Sequence, residues 1–71
     1  MTKKEKETMN LLTWKVARRY LRAEEKGRSE EELKGMFTMI SMMENTLGID
    51  INAVMAEIKK GKTYEEMFGD N

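Results

Sequence analysis

Three times in this chain a hydroxyl residue is followed, three positions later, by a glutamate: Thr2-Lys3-Lys4-Glu5, Ser29-Glu30-Glu31-Glu32 and Thr63-Tyr64-Glu65-Glu66. Each fits the capping box, in which a hydroxyl and a carboxylate reciprocally satisfy backbone donors that the first turn of a helix leaves without partners. A fourth start is Asp50, a good N-cap, with Ile49 before it and Val54 after it placed as a hydrophobic staple. Gly27, Gly48, Gly61 and Gly69 follow the periodic segments as C-terminal punctuation, and the chain has no proline. These signals predict helices over roughly residues 3–26, 30–47, 51–60 and 64–68, with no strand.

Placed on a wheel at about 100° per residue, the first helix puts Met9, Leu12, Val16, Tyr20 and Ala23 on one stripe and Leu11, Trp14 and Leu21 nearly opposite. One of the arcs between them carries Lys15, Arg18, Arg19, Arg22 and Lys26. The second helix has a main stripe of Leu33, Met36, Phe37, Ile40, Met43 and Leu47, with Met39, Met42 and Gly35 to one side. Ile51, Val54, Met55 and Ile58 give the third helix a single face that can lid a hairpin, and Tyr64, Met67 and Phe68 give the last turn something to dock.

A hairpin buries one seam of each long helix and leaves Leu11, Trp14 and Leu21 as an apolar patch, which monomers rarely tolerate. Either a symmetry mate covers it or the C-terminal helices fold back over it; the sequence favours the former. Size points the same way. A chain of 71 residues buries only about 60% of its unfolded surface, and domains this small are usually reinforced by disulfides, metals or association. With no Cys and no His the first two have no ligands to work with. The expected architecture is therefore all-α: a helical hairpin of two long helices plus one or two short C-terminal helices, a single domain over residues 1–71, completed by homodimerisation through Leu11, Trp14 and Leu21.

The same absences remove the usual base and nucleophile pairs, so no catalytic, cofactor-binding or metal-ligating residue is assigned and no enzyme is expected. Glu30, Glu31 and Glu32, and likewise Glu65 and Glu66, occupy first turns, where the helix dipole favours carboxylates. Gly61-Lys62-Thr63 mimics the end of a phosphate-binding loop, but Ala56 stands where its first glycine belongs and a helix precedes it. Asp50-Ile51-Asn52 opens like a calcium loop, yet Val54 takes a ligand position and Met55 the place of the required glycine.

Formal charge is zero but segregated: residues 1–28 carry nine Lys/Arg against four Glu, and residues 29–71 carry four Lys against nine Asp/Glu. The cationic stripe of the first helix can be simply solvated, pair with Glu30–Glu32 or Glu44, receive an acidic partner, or sit on phosphates. The charged start and the lack of any long apolar run imply a cytoplasmic protein away from membranes. Met36, Met39, Met42 and Met43 fall within eight residues. Methionine adapts to irregular contacts and is over-used where a groove accepts another helix.

The run from Leu47-Gly48-Ile49 through Ala53-Val54 to Gly61 resembles the turn and second helix of a helix-turn-helix of the phage-repressor type. That resemblance implies a base-reading face of Asp50, Ile51, Asn52 and Ala56, of which Asn52 is the good reader of base edges. The chain departs from the pattern at Glu44, where a small residue is usual, and at Glu57, where an apolar one is.

The sequence thus leads to a non-enzymatic, protein-binding regulator or adaptor, with a small DNA-binding transcriptional regulator as the alternative. Gly35, Met39 and Met42 are the expected contact for a protein partner, and Lys15, Arg18, Arg19, Arg22 and Lys26 the expected contact for acidic groups or phosphate.

Overall fold

A computed structural model describes residues 2–69. Four helices follow in order, α1 Lys3–Glu25, α2 Glu30–Leu47, α3 Ile51–Lys59 and α4 Tyr64–Phe68, with no strand among the described residues.

The helix boundaries arise where the local chemistry places them. At the start of α1 the Thr2 N–H donates to Glu5 Oε1 at 3.0 Å and the Glu5 N–H donates to Thr2 Oγ1 at 3.1 Å. The same reciprocal pair joins Thr63 and Glu66 at α4. At α2 only half the box forms. The Glu32 N–H donates to Ser29 Oγ at 3.3 Å, but the Glu32 carboxylate lies beside the Ser29 hydroxyl and the Arg28 guanidinium, 3.8 Å away, instead of the Ser29 backbone. A neighbouring cation outcompetes a single N–H for that carboxylate.

α1 and α3 both end in Schellman turns: Gly27 N–H donates to Glu24 O and Arg28 N–H to Ala23 O, as Gly61 N–H does to Ile58 O and Lys62 N–H to Glu57 O. Gly27 and Gly61 sit at φ 72° and 93°, in the left-handed region these turns require. Gly69, expected to act alike, is instead right-handed at φ −84°.

α1 and α2 pack together as a hairpin, and α3 lies against α1 over an even broader area. The residues that permit this are small. Thr13 and Ala17, on the arc of α1 between the two expected seams, are buried, and the Thr13 hydroxyl donates to Met9 O at 2.8 Å so that no polar group is stranded. Ile51, Val54 and Met55 of α3 and Ile40 of α2 close over Ala17 to form the core. The two opposite seams expected of α1 are thus corrected to one broad face. Both stripes flank a centre of small residues that allows a close helix–helix approach, and Val16, Tyr20, Trp14 and Leu21 pack around its edge.

The molecule is flat, with principal extents of 39 × 27 × 14 Å and a radius of gyration of 12.6 Å, against about 11 Å for a compact chain of this length.

Candidate functional site

The outward side of α1 combines charge and apolar surface. Lys15, Arg18, Arg19, Arg22 and Lys26 lie within an arc of about 100° and are all exposed. They border a shallow, open trough, with Leu11, Leu12, Trp14, Val16 and Ala23 of α1 and Met36 of α2 as its apolar lining and Glu32 as its single acidic lining residue.

The ion pairs among the described residues are Arg28–Glu32, Lys60–Glu57 and Lys62–Glu57. Of the alternatives for the α1 cations, pairing with Glu30–Glu32 or Glu44 does not occur among the described residues, since Glu32 answers Arg28 and Glu44 is turned away to α3, and the stripe lies exposed to solvent. Arg18 has a cation–π contact, its guanidinium carbon lying 5.9 Å from the Trp14 ring centroid.

On α2 the four clustered methionines divide by direction. Met43 packs on the core, Met36 is half-buried in the trough wall, and Met39 and Met42 stand 65% and 64% exposed. Gly35 lies on the same side of α2, and a Cβ added there would meet nothing within 4 Å. Gly35, Met39 and Met42 are therefore a continuous strip that no part of the described chain covers.

The start of α3 is sealed by two carboxylates. Glu44 Oε2 accepts the N–H groups of Ile51 at 2.7 Å and Asn52 at 3.2 Å, while Asp50 Oδ1 accepts that of Ala53 at 2.9 Å. The Val54 N–H goes to Asp50 O, completing the first turn. Asn52, the expected base reader, has its side-chain amide 3.5 Å from Glu44 Oε1. A helix that reads DNA at its N-terminal end meets phosphate there with free N–H groups; here those groups are occupied by negative side chains.

Leu11, Trp14 and Leu21 do not stand exposed as one patch, and that expectation is corrected. Tyr64 of α4 approaches Trp14 edge-on, with ring centroids 5.6 Å apart and planes at 81°, and Phe68 lies 5.2 Å from Tyr64. Leu21 is half-buried at the core's edge beside Ile58 of α3. Only Leu11, 43% exposed, stays open. The docking role of Tyr64 and Phe68 was legible from their spacing, but their target was not, because a five-residue helix leaves its direction of approach open.

Two carboxyls are displaced from their ordinary range, both downward. Hydrogen bonds from the Thr2 backbone and hydroxyl hold Glu5 low, and a hydrogen bond from Lys62, assisted by the charges of Lys60 and Lys62, does the same for Glu57 against some desolvation. Both serve helix ends. No group of residues able to hold a metal ion occurs among the described residues, and no helix there is long and apolar enough to cross a membrane. Compared with known protein families, curated proteins and solved structures, the chain matches none.

Proposed function

We propose that this protein is a non-enzymatic regulator or adaptor whose α1 trough receives an acidic amphipathic helix of a partner protein. The observation that carries the reading is the coincidence of five exposed α1 cations, none in an ion pair among the described residues, with an aliphatic trough floor. An amphipathic helix places its leucines on Leu12, Val16 and Met36 while its carboxylates answer Arg19, Arg22 and Lys26; this is the helix-in-groove mode with electrostatic steering.

Nucleic acid satisfies half of this surface. The phosphate backbone would match the cations and give a steep salt dependence, which favours a DNA-binding regulator as the second reading. It has no aliphatic face for the floor, however, and the carboxylates capping α3 repel it from the helix that would read bases.

NMR titration of the full chain separates the two. A synthetic peptide with leucines at helical spacing and glutamates elsewhere should shift the methyl signals of Leu12, Val16 and Met36. A scrambled peptide of the same composition should not. The triple variant R19A/R22A/K26A should weaken peptide binding by roughly 3- to 150-fold, from pairs worth about 0.2–1 kcal/mol each. Absence of methyl shifts, or tight binding of a duplex DNA in their place, would overturn the reading.

Self-association is the further part of the proposal. The chain exposes 5518 Å², about a fifth more than the roughly 4,600 Å² of a globular protein of this mass. The excess is of the order of the ~800 Å² that each partner contributes to a stable interface. The strip of Gly35, Met39 and Met42 is where a second copy fits, since the glycine lets a facing helix come close and the methionines adapt to it.

A further inference from the structure

α2 is poorly covered for so apolar a helix. It buries Ile40 but leaves Phe37, Met39, Met42 and Leu47 exposed. Along its open side Gly35, Met39, Met42 and Thr46 follow one another at intervals of four, three and four residues, the spacing that keeps side chains on one line facing a second helix. All four are exposed, and a Cβ added at Gly35 would meet nothing within 4 Å.

The two flanks of this line differ. On the helical wheel Thr38 and Asn45 border it on one side, both polar and exposed. Met36 and Met43 border it on the other, both half-buried, and Met36 lines the α1 trough together with Glu32. The line therefore has an apolar flank on the trough side and a polar flank away from it.

These flanks decide how a second copy lies. Parallel helices set each residue beside its own mate, so Glu32, which continues the line three residues before Gly35, would meet a second Glu32, and the apolar flank of each helix would face the polar flank of the other. Antiparallel helices join like flanks. With Gly35 opposite Thr46 and Met39 opposite Met42, Glu32 passes beyond the end of the facing α2, Met36 comes beside Met43, and Thr38 beside Asn45. Small residues at both ends of the line then permit a close approach, and methionines fill its centre.

We propose that two chains pair through antiparallel α2 helices about a two-fold axis between Met39 and Met42, so that Met43 of each chain extends the apolar lining of the other's trough next to Met36. This rests on the self-association reading and adds to it the orientation of the second copy and its share in the trough. The same axis turns both troughs to one face of the dimer, where a parallel pair would set them on opposite faces.

The chain has no cysteine, so disulfide trapping reads the orientation directly. A disulfide needs Cα atoms within about 7 Å, and at about 1.5 Å per residue Gly35 and Thr46 stand about 16 Å apart along α2. Full-length Gly35→Cys and Thr46→Cys, oxidised separately, should each stay largely unlinked; oxidised as an equal mixture, they should give the mixed disulfide as the main product, identified by its mass. Homodisulfides of each variant without the mixed product would show a parallel pair and overturn the proposal while leaving the strip an interface. The parent chain supplies a readout that no substitution can disturb. In dimers of isotope-labelled and unlabelled chains, filtered NOEs should join the Met36 methyl of one copy to the Met43 methyl of the other, and a dimer without them would overturn the proposal. A chain that stays monomeric at every concentration would remove the self-association reading and the proposal with it.

Discussion

The Glu44 carboxylate, at the last turn of α2, accepts the Ile51 N–H at the first residue of α3 at 2.7 Å, bridging the Gly48 corner from one helix to the next. Together with Asp50 it supplies the acceptors that the first turn of α3 needs. Glu44 is half-buried and Ile51 fully buried, so the N–H left behind in Glu44→Ala would be poorly reached by water. Glu44→Ala should cost about 1.5–3 kcal/mol, the usual range for hydrogen bonds to a charged group. Glu44→Gln, which keeps an acceptor oxygen, should cost less, and Asp50→Ala about 1 kcal/mol. Urea denaturation followed by circular dichroism checks the order; a Glu44→Ala chain as stable as the parent would show that water replaces the carboxylate.

The close approach of α1 and α3 depends on Ala17, which has no exposed surface. Ala17→Leu should destabilise by about 1–3 kcal/mol through overpacking, with α3 pushed off first. Ala23→Leu, on the same helix but lining the trough, has room to extend and should change stability by less than about 0.5 kcal/mol. Thermal melts of the two variants decide this: equal losses would mean that α1 is held by its whole circumference and not by the Thr13–Ala17 face.

Much of this arrangement could be read from the residues. The starts of α1, α3 and α4 follow from Thr2, Asp50 and Thr63, whose side chains bond within three residues, and the ends of α1 and α3 from Gly27 and Gly61. Such contacts are local, and sequence spacing specifies them. The face that α1 buries was not legible in the same way. Hydropathy marks Leu11, Trp14 and Leu21 and passes over Thr13 and Ala17, whose contribution is their small size and, for Thr13, a hydroxyl satisfied inside its own helix. The contact of Trp14 with Tyr64 spans fifty positions, and only the path of α3 across α1 brings the two rings together. Glu44 was conspicuous as a mismatch to a helix-turn-helix pattern; its bond to Ile51 supplies the physical reason for the mismatch.

Acid should loosen the end of α3. The Glu57 carboxyl lies below the ordinary glutamate value of 4.5, held there first by the hydrogen bond from Lys62. Because its folded value is below its unfolded one, Glu57 stabilises the fold at pH above the ordinary carboxylate range, and that contribution disappears as pH falls through the folded value. The stability difference between the parent and Glu57→Gln should therefore be constant near neutrality and shrink as pH falls below the ordinary carboxylate range through the lowered folded value. Added salt should shrink it at neutral pH too, since both lysines are largely exposed. A difference that grows in acid would assign the stabilisation to a neutral hydrogen bond.

Self-association can be tested on the strip of Gly35, Met39 and Met42. Trp14 and Leu21 are half-buried against α4 and α3, so of the three residues the sequence marked for a dimer seam Leu11 alone is exposed, too little apolar surface for a stable contact by itself. Met39 and Met42 are exposed within one chain, so Met39→Gln with Met42→Gln should change the unfolding free energy of the isolated monomer by no more than the scatter expected for surface changes, about 0.5 kcal/mol. The same pair of changes should lower the mass seen by light scattering at micromolar concentration from that of two chains to 8.3 kDa. Gly35→Leu acts by a separate route: a Cβ there meets nothing within 4 Å in its own chain, so the added side chain fills the space into which a second helix would come. It too should yield monomers, with no loss of helicity. A parent chain that scatters as 8.3 kDa at every concentration would refute the dimer outright. A dimer that survives all three substitutions but yields to Leu11→Gln would move the interface to the α1 face, where it would compete with the acidic peptide for the trough.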